Sequence, residues 1–145
     1  MSTTRTTMKA GFSLVELAVV VVIIGVLAAF AVPRFRSSVE RSKAAEAFNY
    51  LAAIQAAQER YAARQGTYAD AVTSLDIQLT APKYFTTGTI AAGSTGSLED
   101  SWSLTLTRSG GTSGYGDYTV TFTEEGFDSV NSTITDLPDI NPMQT

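Results

Sequence analysis

A single carboxylate, Glu16, stands at the fifth position of an otherwise uninterrupted apolar run from Phe12 to Val32. The run has 21 residues and no other charge. At about 1.5 Å per residue it makes a helix of roughly 32 Å, enough to cross a bilayer core of about 30 Å. A carboxylate at that depth costs about 2.5 to 3.5 kcal/mol even on the mild insertion scale, so it needs a partner or a way out. The run supplies no obvious partner. The plainest alternative is that Glu16 lies near one end of the span and reaches the headgroups, or takes up a proton.

The surrounding residues narrow the choice. A short polar leader carrying Arg5 and Lys9 ends in Gly11, the aromatic Phe12 follows, Glu16 is the fifth residue after the glycine, and the apolar run continues. The stretch Gly11-Phe12-Ser13-Leu14-Val15-Glu16-Leu17 resembles the processing and methylation motif of type IV prepilins and the related pseudopilins of type II secretion. The resemblance implies that a membrane-embedded aspartyl peptidase and methyltransferase cuts between Gly11 and Phe12 and methylates the new amine of Phe12. It also implies that Glu16 is an assembly residue, pairing with the Phe12 ammonium of a neighbouring subunit. Removing one member of such a buried pair costs on the order of 3 to 5 kcal/mol. A secretory signal peptide is the competing reading of the start. The run is longer than the usual apolar core of about 7 to 15 residues, and only Ala28-Ala29-Phe30-Ala31 mimics a cleavage site.

Charge leaves the orientation ambiguous, because Arg5 and Lys9 flank one side of the run while Arg34, Arg36, Arg41 and Lys43 crowd the other. The resemblance implies a cytoplasmic leader and an exported carboxy-terminal domain. Beyond Val32 the helical signal continues. Ala44, Ala47, Phe48, Leu51, Ile54, Gln55, Gln58, Tyr61 and Ala62 recur at steps of three and four, and Gly66 supplies the stop. A helix from Phe12 to Gln65 of about 81 Å is expected. Pro33 interrupts it and is expected to kink or loosen it, since proline removes a hydrogen bond and its ring clashes with the preceding turn. It is the twenty-second residue after Gly11, where many pilins carry proline.

After Gly66 the composition turns to Thr, Ser and Gly. Residues 67–96 read as an irregular connection with a helical turn around Asp70–Leu75 and a strand at Tyr84–Ile90. Ser101–Arg108 alternates with Trp102, Leu104 and Leu106 on one face, and Tyr118–Thr123 repeats the pattern. The glycine-rich 109–116 segment between them predicts a hairpin loop, and a third strand is expected around Gly126–Ile134. The fold class is α+β: a long N-terminal helix packed on a small antiparallel sheet. The parts are a cleaved leader (1–11), a membrane and assembly half-helix (12–33), an amphipathic half-helix (34–65), and a region (66–145) of connection, sheet and C-terminal segment.

Composition limits the chemistry. There is no Cys and no His, which removes disulfides, thiol and imidazole catalysis and the commonest zinc sites. No catalytic residue is assigned and no enzyme is expected. The acidic residues Asp117, Glu124, Glu125, Asp128, Asp136 and Asp139 suit calcium in type, but their spacing matches no calcium loop, so they read as a solvated surface with no metal or cofactor. Residues 34–65 hold six Lys/Arg against three Asp/Glu, and residues 66–145 hold two against ten. That asymmetry suits stacking of subunits, and the acidic head argues against direct nucleic-acid binding. Asn131-Ser132-Thr133 is a sequon, a weak signal for glycosylation.

The expected function is therefore structural: the major subunit of a type IV pilus, a helical homo-oligomer polymerising through its apolar helix. A pseudopilin or minor pilin is the nearest alternative, and a membrane-anchored binding module that never polymerises is the more distant one. The resemblance implies further partners in a cytoplasmic assembly ATPase and a membrane platform protein. It implies residence in the inner membrane as a precursor, then in an extracellular pilus on the cell surface.

Overall fold

Residues with high helix propensity run without a glycine from Val26 to Gln65, and a single helix, α1 (Leu14–Gln65), takes up all of them. This computed structural model describes residues 11–111 and 114–144. The leader residues 1–10, with Arg5 and Lys9, lie outside the described residues, as does part of the predicted 109–116 loop. The helix begins two residues later than expected because Ser13 caps it. It ends where expected: Gly66 has a φ of +77°, and its N–H donates to Ala62 O at 2.8 Å, closing the last turn in the left-handed conformation that glycine allows without strain. Pro33 lies inside α1, which continues through it.

The chain divides into two units, residues 1–35 and 36–145. In the described part of the first, every side chain is exposed. An 18-residue window of α1 has a mean hydropathy of 2.9 and none of that window is buried, which makes it long and apolar enough to cross a membrane.

The second unit is an α+β head. Five antiparallel strands follow the helix: β1 (Phe85–Thr87), β2 (Ala91–Ala92), β3 (Trp102–Arg108), β4 (Thr119–Thr123) and β5 (Gly126–Phe127). The order is β1-β3-β4-β5, and β2 lies on the same edge of β3 as β1. Of the strand predicted at Tyr84–Ile90 only Phe85–Thr87 forms, Gly88 follows it, and pairing resumes beyond the predicted range at Ala91–Ala92. The Gly88 N–H donates to Thr105 O at 2.9 Å, so close that a Cβ there would lie 2.8 Å from that oxygen. The helical turn predicted at Asp70–Leu75 is a single 3₁₀ turn, Val72–Ser74.

Period-3.6 burial on the helix meets period-2 burial on β3, and on β4 Thr121 is buried as well as its neighbours Val120 and Phe122. Ala44, Ala47, Phe48, Leu51, Ile54 and Gln58 are buried on α1, and Trp102, Leu104, Leu106, Val120 and Phe122 are buried on β3 and β4. Phe48 packs edge-on against Phe122 at 5.7 Å and, tilted, against Phe127 at 4.9 Å between ring centroids. Gln58 spans the helix and the connection: its Nε2 donates to Ala69 O at 3.0 Å and its Oε1 accepts from Ala69 N–H at 2.8 Å. A side-chain amide thus satisfies a buried backbone group as a strand partner would.

The third strand expected over Gly126–Ile134 is corrected. Only Gly126–Phe127 pairs as a strand, and Thr133–Asp136 forms a 3₁₀ turn. Side chains intercept the ladder. Asp128 Oδ1 accepts from Val130 and Asn131 N–H at 3.0 Å each, turning the chain. Ser132 Oγ then accepts from Thr121 N–H at 2.8 Å and Thr133 Oγ1 from Thr119 N–H at 2.8 Å, so hydroxyls replace the backbone along the β4 edge. Buried Ile134 and Ile140 and a hydrogen bond from Arg41 Nη2 to Gln144 O at 3.1 Å hold the segment that follows.

Candidate assembly site

Glu16 has a partner at the residue that caps its own helix. Ser13 is the N-cap of α1: its Oγ accepts from Val15 N–H at 3.2 Å, and Glu16 Oε2 accepts from Ser13 N–H at 3.0 Å. This Ser-x-x-Glu reciprocity is a capping box, which satisfies two otherwise orphaned donors and places negative charge at the positive end of the helix. The sequence reasoning missed it, although Ser13-Leu14-Val15-Glu16 carries its spacing. Among the described residues, Oε1 of Glu16 accepts no hydrogen bond.

The two sides of the proposed cleavage point are open. Gly11, Phe12 and Ser13 are non-helical and exposed, with Phe12 at 79 %. A non-helical, accessible backbone suits a peptidase, and the cap at Ser13 keeps these three residues out of the helix. Beyond them α1 presents Leu14, Val15, Val19, Val22, Ile23 and Leu27 on its surface, all exposed. Pro33 stands at the far end of this half, 17 residues after Glu16.

A second carboxylate was not anticipated at all. Glu40 is 1 % exposed and is the first buried residue along α1. Its carboxylate accepts from Arg108 Nε and from Arg108 Nη2 at 3.2 Å, from Tyr118 OH at 3.1 Å and from Lys43 Nζ at 3.1 Å. Arg108 also donates to the carbonyls of Tyr84 and Ser109. The hydrogen bond to Glu40 holds the Arg108 guanidinium more firmly protonated than usual, and burial pushes the Tyr118 phenol up. A buried pair with this many bonds ties α1 to the start of β1, the end of β3 and the start of β4. Two signals mark it in the sequence: Glu40 is four residues before Ala44 on the buried stripe, and Arg108 shares the inward parity of Trp102, Leu104 and Leu106.

Three cations of the head meet at one ring. Lys83 and Arg108 are the head's two Lys/Arg after Gly66, and both lie by the Tyr84 ring, with Lys43 of α1 over the same ring at 4.9 Å. Of the acidic group near the C-terminus, Asp128 is committed to Val130 and Asn131, and the Asn131 amide holds its carboxyl below the usual range. Among the described residues no group of three or more acidic side chains is gathered closely enough to hold a metal ion.

An exposed apolar half-helix headed by a Gly-Phe-x-x-x-Glu sequence, continuing into a helix-on-sheet head, is the layout of the pilin class. Residues 6–32 match the prokaryotic N-terminal methylation motif, and residues 33–133 match the family described as type IV minor pilin ComP, DNA uptake sequence receptor. This chain belongs to the type IV pilin family. It is similar to the type IV major pilin protein PilA of Myxococcus xanthus, 45 % identical over 60 residues, or 41 % of this chain and 27 % of PilA. It is also similar to the fimbrial protein EcpC of Eikenella corrodens, 41 % over 58 residues (40 % and 38 %), and to the type IV major fimbrial protein FimA of Dichelobacter nodosus, 54 % over 39 residues (27 % and 24 %). The matches span about a quarter to two fifths of those relatives' lengths. No solved structure matches the chain.

Proposed function

We propose that this chain is the major structural subunit of a type IV pilus. Cleavage between Gly11 and Phe12 and methylation of Phe12 release a subunit that polymerises through the apolar half of α1. The Phe12 ammonium pairs with Glu16 of a neighbouring subunit, and the heads face outward. The observation that carries this reading is an exposed apolar half-helix that begins in a methylation motif. Lipid covers it in the precursor, and other copies of the helix cover it in the filament. The inner membrane holds the precursor, and a prepilin peptidase/methyltransferase, an assembly ATPase and a platform protein act on it. The family is structural, and no reaction is assigned to the chain.

A minor pilin is the second reading, favoured by the match of residues 33–133 to a family of that description. The same description names a DNA uptake sequence receptor. Residues 66–145 carry ten carboxylates against two cations, and one of the two, Arg108, is buried on Glu40. Phosphate contact, which dominates nucleic-acid affinity, therefore has little to work with. Quantifying the chain in sheared surface filaments separates the readings: the principal band marks a major subunit, a trace component a minor one. A gel shift that weakens as salt rises would favour the receptor reading.

A further inference from the structure

Glu16 divides its two oxygens: Oε2 is bound by the Ser13 N–H, and Oε1 takes no hydrogen bond among the described residues. A long, single-bonded side chain that must meet a cation at one point loses rotamer freedom when it does so. Here part of that loss is already incurred, because the capping box fixes the carboxylate against the first turn of its own helix. The box also sets where the helix begins, and so how far the Phe12 nitrogen stands from the Glu16 carboxylate along the chain. The Phe12 amine itself lies beside the positive end of the α1 dipole, which disfavours an ammonium there unless a carboxylate compensates.

We infer that Ser13 is a positioning residue for assembly: its capping box with Glu16 holds one carboxylate oxygen on the subunit's own helix and leaves the other for an ammonium. The inference rests on the proposed pairing of Glu16 with Phe12 and adds a residue and a division of labour to it. Ser13 acts through Glu16 and makes no contact with the neighbouring subunit in this scheme. Its hydroxyl is the part that side-chain substitution can remove, and the Ser13 N–H that Glu16 binds stays in place only while Ser13 holds the N-cap conformation.

The test uses the full chain in a pilus-assembling cell that supplies the processing enzyme. Ser13→Thr keeps the capping hydroxyl, Ser13→Val has the same shape without it, and Glu16→Gln removes the charge. Two quantities are read: the ratio of filament to membrane-retained subunit, and exchange of the Ser13 amide in the membrane-retained pool. Mass spectrometry of that pool restricts the comparison to chains that begin at methylated Phe12. The expected result is a normal ratio for Ser13→Thr and a ratio about fivefold lower for Ser13→Val, the fold-change equivalent to a typical N-cap contribution of about 1 kcal/mol. Amide exchange should be faster in Ser13→Val but unchanged in Ser13→Thr and in Glu16→Gln, whose amide oxygen still accepts in the box. Equal ratios and equal exchange for Thr and Val would overturn the role of Ser13 while leaving the pairing intact. Normal filaments from Glu16→Gln would instead overturn the pairing.

Discussion

Each half of α1 holds one carboxylate in costly surroundings, Glu16 among apolar side chains and Glu40 on the buried stripe; the head resolves the second, while the apolar half leaves the first partly open. Glu40 sits on the buried stripe with Arg108, Lys43 and Tyr118 all supplied by the same chain. Glu16 sits among exposed apolar side chains with the Ser13 N–H on one oxygen and nothing among the described residues on the other. Glu40 obeys the rule that a desolvated charge must be paired, and on the proposed reading Glu16 comes under the same rule only once a neighbouring subunit buries it. They differ in where the partner comes from. A carboxylate whose partners are all internal builds a fold, whereas one with an open oxygen on a surface bound for burial is available to build an assembly.

The largest expected effect breaks the open half. Glu16→Ala should reduce surface filaments by more than about 100-fold, from the roughly 3 to 5 kcal/mol lost when one member of a buried pair is removed. Membrane accumulation of the subunit should be unchanged, measured by fractionation and immunoblotting. Retained filaments would mean that Glu16 is only a helix cap.

Breaking the closed half should act on folding instead. Arg108→Met alone leaves the Glu40 charge buried with much of its shell gone and is expected to cost about 3 to 5 kcal/mol in denaturant unfolding. Adding Glu40→Leu should restore most of that loss, because the desolvation penalty goes with the charge. A smaller effect, about 1 to 3 kcal/mol, is expected from Gln58→Leu, which strands the buried N–H and C=O of Ala69.

The smallest effect is pH-dependent and lies in the C-terminal segment. The Asp128 carboxyl titrates below its unfolded value because its charged form is held by Asn131. The stability it contributes is present above the unfolded carboxylate range near 3.9 and is lost as pH falls through the lower folded value. Asp128→Ala should therefore be less stable than the wild type at pH 7, and the difference should shrink as unfolding is measured at successively lower pH towards 2. A gap that stays constant would assign the contribution to something other than the ionised carboxylate.

Much of this comparison is legible in sequence, for a physical reason. Long periodic patterns report burial directly, so the stripe Ala44, Ala47, Phe48, Leu51, Ile54 and the alternation Trp102, Leu104, Leu106 locate the helix, the sheet and the faces they share. Gly66 marks the helix end because a left-handed residue is needed there. The misses are places where a side chain substitutes for backbone or for apolar packing. Residues 128–134 lost their strand to the hydroxyls of Ser132 and Thr133 and the carboxylate of Asp128. Glu40 and Arg108 both stand at core parity, but periodicity weighs hydrophobicity and says nothing about pairs 68 residues apart. The capping box at Ser13 was hidden differently. The donor to Glu16 is a backbone N–H, which residue types do not reveal.

The most direct measurement is intact-mass and amino-terminal peptide mass spectrometry of filaments sheared from the cell surface. The account predicts a principal species that begins at Phe12, carries one N-methyl group and contains Glu16 unmodified. A subunit that still begins at Met1, one cut after the apolar run, or an unmethylated Phe12 in assembled filaments would contradict it.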